Sequence, residues 1–474
     1  MITTTAQAEV APAKANYNAA YVWLISVVAA MGGLLFGWDW VVIGGAKPFF
    51  QRYFELTSAA QIGWANSCAL IGCLVGALVA GALSDRFGRK RLLIASALLF
   101  AVTSVGNGLA HSFAVFIGWR ILGGVAIGLA SNLSPMYIAE VAPAQIRGRL
   151  VAINQFTIVI GILLAQCVNW FLVRNLPEGA TDEFIRNSWF GQQGWRWMFA
   201  LTAAPAVLFF CGMLVVPESP RWLARSGQRE RSVAVLSKIG GVGYATAVEA
   251  DIQSSLTNEG AGRAHFSDLL DPRMSRVLIL GIVLAVFQQW CGINVIFNYA
   301  EEIFKSAGYD ISKVLKNIAW TGSINFAFTL VALAMVDRIG RRPLMLFGSA
   351  GLAVIYFALG YCYHGGVTGT PMLLLVLAAI GCYSMTLAPV VWVVISEIFP
   401  NRIRGEAMAA AVSALWVACF VLVLTFPFLN DWLGPAGTFW LYAVICVLGF
   451  LFVKSALPET KGKSLEQIEK ELTE

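Results

Sequence analysis

Long apolar runs separated by short polar interruptions fill this chain of 474 residues. The runs fall near 20–45, 60–83, 92–110, 113–139, 150–173, 196–216, 275–304, 314–336, 343–363, 371–396, 407–428 and 437–456. A helix needs about 20 apolar residues to cross a bilayer core, so the pattern predicts twelve transmembrane helices. The strict two-residue alternation of a membrane barrel is absent. The interruptions themselves recur. SDRFGRKR at 84–91 returns as VDRIGRRP at 336–343, EVAPAQIRGR at 140–149 as EIFPNRIRGE at 397–406, and PESPRWL at 217–223 as PETKG at 458–462. The fold class expected is all-α, with two pseudo-symmetric six-helix bundles, and repeated halves of this kind place transport first among the functions.

Composition agrees. Hydrophobic residues make up 58% and charged residues 13%, against about a quarter charged in soluble domains. Lys and Arg in short loops set orientation, and the repeated motifs hold most of them, so both termini are expected on the cytoplasmic side of a cell (inner) membrane. The net charge of +6 reflects that bias and gives no reason to expect nucleic acid. All nine cysteines fall in the expected spans, which excludes a secreted disulfide framework. The organisation expected is a flexible tail over 1–19, bundles over 20–216 and 275–456, a cytoplasmic linker with short amphipathic helices over 217–274, and a tail over 457–474.

No HExxH, CxxC, GxSxG or Walker pattern is present, so neither enzyme chemistry nor a metal or cofactor is implied. GGVAIG at 123–128 lies within an apolar helix, where Gly124 and Gly128, like Gly72 and Gly76, have the spacing that lets helices approach.

Ionisable groups inside a span are costly and ask for an explanation. Two lie deep, Asp39 in the first helix and Arg120 in the fourth. With helix 1 ending near residue 46, both sit about seven residues, or ~10 Å, below the same face, so they could pair. Burial raises a carboxylate's affinity for a proton and a neighbouring Arg lowers it again. A pair that separates and re-forms is thus the minimum for proton coupling, while a permanent structural ion pair is the other reading. His111, His265 and His364 all fall in expected loops.

Amides gather as well: Gln155 in helix 5, Gln288, Gln289, Asn294 and Asn298 in helix 7, and Asn325 in helix 8, with Trp392 and Trp416 in helices 10 and 11. Amides donate and accept together, which suits a hydroxyl-rich ligand, and aromatic faces suit the C–H faces of a sugar. On an unbroken helix Gln289 and Asn298 lie about 180° apart, so Gly292 is expected to mark a break, and Pro389 is expected to bend helix 10. The charged motifs suggest a gate network: Asp85, Arg86, Arg89, Glu140, Arg147 and Glu218, repeated as Asp337, Arg338, Arg341, Glu397, Arg404 and Glu459.

FGWD, DRFGRKR, RILGGVAIG, PMYIAEVAP, GWRWMF, PESPRWL, QQWCGIN, DRIGRRP, PVVWVVISEIFP and PETKG, in that order, make nearly the whole chain resemble the sugar porters of the major facilitator superfamily. The resemblance implies alternating access, and it assigns Gln155, Gln288, Gln289, Asn294, Asn325, Trp392 and Trp416 to a sugar site. It also implies that Asp39 is a proton-coupling acid with Arg120 as its partner. The expectation is a proton-coupled pentose or hexose symporter, functional as a monomer in a lipid bilayer, with monosaccharide and protons as its partners. A facilitative uniporter is the alternative and a non-transporting sugar sensor a remote one. Asn298 stands where relatives usually carry tyrosine, and Leu415 replaces an amide common in xylose- and glucose-binding members, so the sugar itself stays open.

Overall fold

The structure, a computed structural model, describes residues 17–261, 272–399, 404–461, 463, 467 and 471–472. Among these there is no strand. In the first half α1 (Ala19–Tyr53), α2 (Ala59–Phe87), α3 (Arg89–Leu109), α4 (Phe113–Val141) and α5 (Arg147–Val173) each cross once. The short α6 (Asp182–Asn187) then leads through a π-helical turn over Phe190–Gly194 into α7 (Trp195–Ala200) and α8 (Ala203–Val215), which make the sixth span. Between the halves lie α9 (Pro220–Arg225) and α10 (Arg229–Ala261), the latter kinked at Gly241.

The seventh span is broken into α11 (Pro272–Trp290), α12 (Ile293–Asn298) and α13 (Ala300–Ser306). Then come α14 (Ile311–Ile339), α15 (Arg341–His364) and a broken pair, α16 (Thr370–Met385) and α17 (Leu387–Ile398). The final element, α18 (Arg404–Ala456), contains a 51-residue apolar stretch, ~76 Å if straight and more than twice a bilayer core. It turns at Gly434, whose φ of 67° a side chain rarely adopts, so it crosses twice and the crossings number twelve among the described residues.

Glycines let the backbones touch. A Cβ on Gly124 would meet the Ala69 carbonyl carbon at 2.9 Å, and one on Gly72 would meet Val125 N at 2.8 Å, so α2 and α4 pack with nothing between them. The halves repeat in detail. Gly88 (φ 95°) separates α2 from α3, and Gly340 (φ 108°) separates α14 from α15. In each case a carboxylate caps the helix that follows. Glu218 Oε1 accepts from the Arg89 and Lys90 amides at 3.1 and 3.0 Å, and Glu459 accepts from the Arg341 and Arg342 amides at 3.0 and 3.1 Å.

Two local expectations need correction. Helix 1 does not end near residue 46 but continues to Tyr53, because Lys47 and Arg52, which break the apolar run, find acidic partners there. The break in the tenth span falls at Thr386 (φ −123°, ψ −87°), three residues before Pro389. Proline sits in the first turn of α17, where its missing N–H costs nothing.

Candidate functional site

Asp39 and Arg120 meet. Arg120 Nη1 donates to Asp39 Oδ1 at 2.7 Å, with the side chains only 4% and 12% exposed, respectively. Asp39 therefore sits 14 residues from the end of α1 rather than seven (39 to 53), yet Arg120 reaches it. The guanidinium also lies 5.4 Å from the Phe199 ring centroid. Phe36, Asp39, Trp40 and Ile43 share one face of α1, and Asn66, Ala69, Leu70 and Cys73 share one face of α2. Together with Arg120, Ile127 and Asn298 of the other half they enclose a cleft of about 20 Å³. Trp40 connects this cleft to Trp416, with ring centroids 6.2 Å apart, and Phe36 stands 5.8 Å from the same ring.

The amides of the seventh span are joined around the break. Gly292 adopts φ 88° and ψ −6°, which re-aims the upper turn. Gln288 Nε2 donates to Ala388 O at 3.2 Å, at the start of α17, and Gln289 Nε2 donates to Gln288 Oε1 at 3.3 Å. Asn294 donates to Gln289 Oε1, and Asn298 donates to the Asn294 carbonyl at 2.8 Å. Asn325 accepts from Ser384 Oγ at 2.6 Å, tying α14 to α16. Gln155 is half-buried on α5, and Trp416 and Leu415 are buried on α18. Trp392 stands apart from the Trp40–Trp416 contact and is 37% exposed on α17.

Opposite ends of the bundle are held differently. At the end with the repeated motifs, every described ion pair runs within one half. Arg89 binds Glu140 at 3.1 Å and Asp85 at 3.2 Å, Arg225 binds Asp85 at 2.9 Å, and Arg341 binds Glu397 at 3.0 Å. Ser219 and Thr460 donate to the two glutamates, at 2.5 and 2.6 Å, in matching positions. Arg86, Arg147 and Arg338 are exposed, and among the described residues no ion pair draws them into these networks. The side chains of Asp337 and Arg404, with residues 400–403, lie outside the described residues.

At the far end the halves are latched to each other. Lys47 of α1, wholly buried, pairs with Glu302 of α13 and lies 4.5 Å from the Tyr299 ring centroid. Arg52 pairs with Glu301 at 3.4 Å and with Asp182 of α6 at 2.9 Å. The Arg52 guanidinium holds the Asp182 carboxyl below its ordinary range by hydrogen bonding and charge. Lys313 to Glu178 at 3.1 Å and Gln166 Nε2 to Thr321 Oγ1 at 3.2 Å add further links between the halves. None of these was singled out from the sequence. The signal available was a Lys and an Arg closing the first apolar run, matched by the doublet Glu301–Glu302 near the close of the seventh.

Residues 25–472 match the family described as sugar (and other) transporter. The chain is 40% identical to the D-xylose-proton symporter of Escherichia coli (strain K12), with 96% of each chain covered. It is also 40% identical to the glucose transport protein of Synechocystis, covering 96% of this chain and 99% of that one. Its fold is similar to that of the E. coli xylose transporter in a partially occluded inward open conformation, with a TM-score of 0.82, 36% identity, and coverage of 94% of this chain and 100% of that one.

Proposed function

The chain belongs to the sugar transporter family, and from that premise we propose that it carries a pentose or hexose across the membrane together with a proton, by alternating access. It is a multi-pass membrane transporter and not an enzyme. The observation that carries the proposal is the Asp39–Arg120 bond at 2.7 Å, placed in a cleft that Asn298 closes from the other half and that Trp40 joins to Trp416. A carboxylate parted from its guanidinium in so buried a site takes up a proton, and re-forming the pair expels it. Sugar held by Gln155, Gln288, Gln289, Asn294, Asn298, Asn325, Trp392 and Trp416 would shift α1 through the aromatic contact and so link the two events.

The state is read from the two ends. With the repeated motifs on the cytoplasmic side, as the Lys and Arg bias implies, the latched end faces out and each motif network closes within its own half. That arrangement suits a protein shut to the outside and open to the inside of a cell (inner) membrane. The two motif networks act as a gate bias that would re-pair in the opposite state. The relatives carrying xylose and glucose by name support a monosaccharide, and the amide at 298 and Leu415 leave the choice of sugar to experiment.

A uniporter in which Asp39–Arg120 is a permanent structural pair is the competing reading, and the same short bond fits it. Proteoliposomes containing the protein, given a sugar panel without an imposed gradient and read with a pH dye, separate the two. Alkalinisation outside the vesicles on addition of one sugar, lost in Asp39→Asn, supports symport. Labelled-sugar uptake with no proton movement sinks it.

A further inference from the structure

The cleft beside Asp39 has a specific size and chemistry that pairing with Arg120 does not account for. Its volume of about 20 Å³ is far too small for a sugar. It is sufficient for one water, which needs ~10–15 Å³ and two to four polar partners. Those partners are present. Asn66, 3% exposed, donates through Nδ2 to Ile62 O at 2.8 Å, and its amide lies against the Tyr299 hydroxyl, itself donating to Val423 O at 2.6 Å. Its Oδ1 is buried without a partner, on a residue that lines the cleft. Arg120 Nε is likewise buried without a partner, and Asn298 reaches the same space from the other half. A buried acceptor left unmet costs ~1–3 kcal/mol, and apolar side chains fill the rest of the lining.

We propose that this cleft is a binding site for one ordered water, held by Asp39, Asn66 and Asn298, through which the proton reaches the Asp39 carboxylate. Asn66 is then a positioning residue for proton coupling, and the site is complete only when Asn298 of the second half is docked against α1 and α2. In the step itself a protonated water gives up one O–H bond, its electron pair stays on the water oxygen, and the new O–H bond forms on Asp39. The groups facing the carboxylate are Arg120 on α4, the thiols of Cys68 and Cys73 on α2, and the Asn298 amide from the second half. Among these described groups only Arg120 is a cation, so a water in the cleft supplies a dipole that can reorient as the carboxylate changes its charge. The inference rests on the symport reading above.

Asn66→Leu fills the cleft and removes the acceptor. Measured as sugar uptake into proteoliposomes against pH, its falling limb is expected to be displaced from that of the wild type, because the water that delivers the proton to Asp39 has lost its place. Asn66→Ser, which keeps a hydroxyl and room for water, is expected to hold the wild-type limb. Asn298→Leu removes the partner from the other half and gives the same shift, and the double Leu variant shifts no further, since both residues hold one water. Infrared difference spectra in H₂¹⁸O add an independent readout: an isotope-sensitive water O–H band tied to Asp39 protonation, absent in Asn66→Leu. Wild-type limbs in both Leu variants, or shifts that add, would overturn the site. Sugar uptake by the wild type with no proton movement would instead defeat the symport reading, before any variant is made.

Discussion

Replacing Glu302 by Gln is expected to move the protein toward the state open at the latched end by about 30-fold. Lys47 is 0% exposed in the structure, and its charge is opposed directly by Glu302. Removing one partner of a fully buried pair costs ~3–5 kcal/mol. The Glu302 side chain is 30% exposed, so solvent already screens part of that. The Tyr299 ring, 4.5 Å from the ammonium, goes on offering a cation–π contact after the substitution. A net penalty of ~2 kcal/mol on the closed state remains, and opening relieves it by letting water reach Lys47. At ~1.4 kcal/mol per decade that is about 30-fold. The assay is pulsed electron resonance between spin labels at Asn187→Cys and Ser306→Cys, exposed positions at this end of the two halves, in a background free of the native cysteines. The long-distance population should grow in Glu302→Gln and return to the wild-type fraction when the charges are exchanged, Lys47→Glu with Glu302→Lys. An unchanged distribution in both Glu302→Gln and Glu301→Gln would show that the latch carries no gating energy.

Further expectations concern packing, pH and the sugar site. Gly124→Val drives a side chain into the α2 backbone and should cost at least ~1–3 kcal/mol by thermal melting in detergent; Gly118→Ala, where a Cβ meets nothing within 4 Å, should not destabilise. Arg52 depresses the Asp182 carboxyl, so that contact is fully present above the ordinary carboxylate value of ~3.9 and is lost only as pH falls through the lowered one. The label distances in Asp182→Asn and wild type should therefore differ by the same amount throughout pH 5–8, and a difference that vanishes at pH 5 would contradict the assignment. Gln289→Leu leaves Asn294 Nδ2 and Gln288 Oε1 without their partner and should weaken sugar binding about tenfold in calorimetry, whereas unchanged affinity would remove the amide chain from the site.

Spans and symmetry were legible because both are written in local sequence: apolar length fixes a crossing, and a Gly-Arg turn with its capping glutamate is repeated in each half. The meeting of Asp39 with Arg120 was legible from depth counting, though its premise failed. Helix 1 runs on to Tyr53 because Glu301 and Glu302, about 250 residues along the chain, neutralise charges that would otherwise end it. That dependence is tertiary, and no window of sequence around Lys47 contains it. Asn66 escaped notice for a related reason. A single Asn near the start of an apolar helix gains meaning only once Asp39 and Asn298 stand beside it. The motif arginines were over-read in the other direction. The charged motifs put Arg86, Arg147 and Arg338 in the gate network, but among the described residues the ion pairs there fall to Arg89, Arg225 and Arg341.

The most direct test of the whole account is sugar accumulation against an imposed pH difference. Proteoliposomes made alkaline inside should concentrate the transported sugar above its outside level, with the ratio rising as the pH difference is increased. Asp39→Asn should bring the inside level only to equality, at every pH difference, while still exchanging labelled for unlabelled sugar. Equal sugar on both sides for the wild type, whatever the gradient, would contradict proton coupling and leave Asp39–Arg120 as a structural pair.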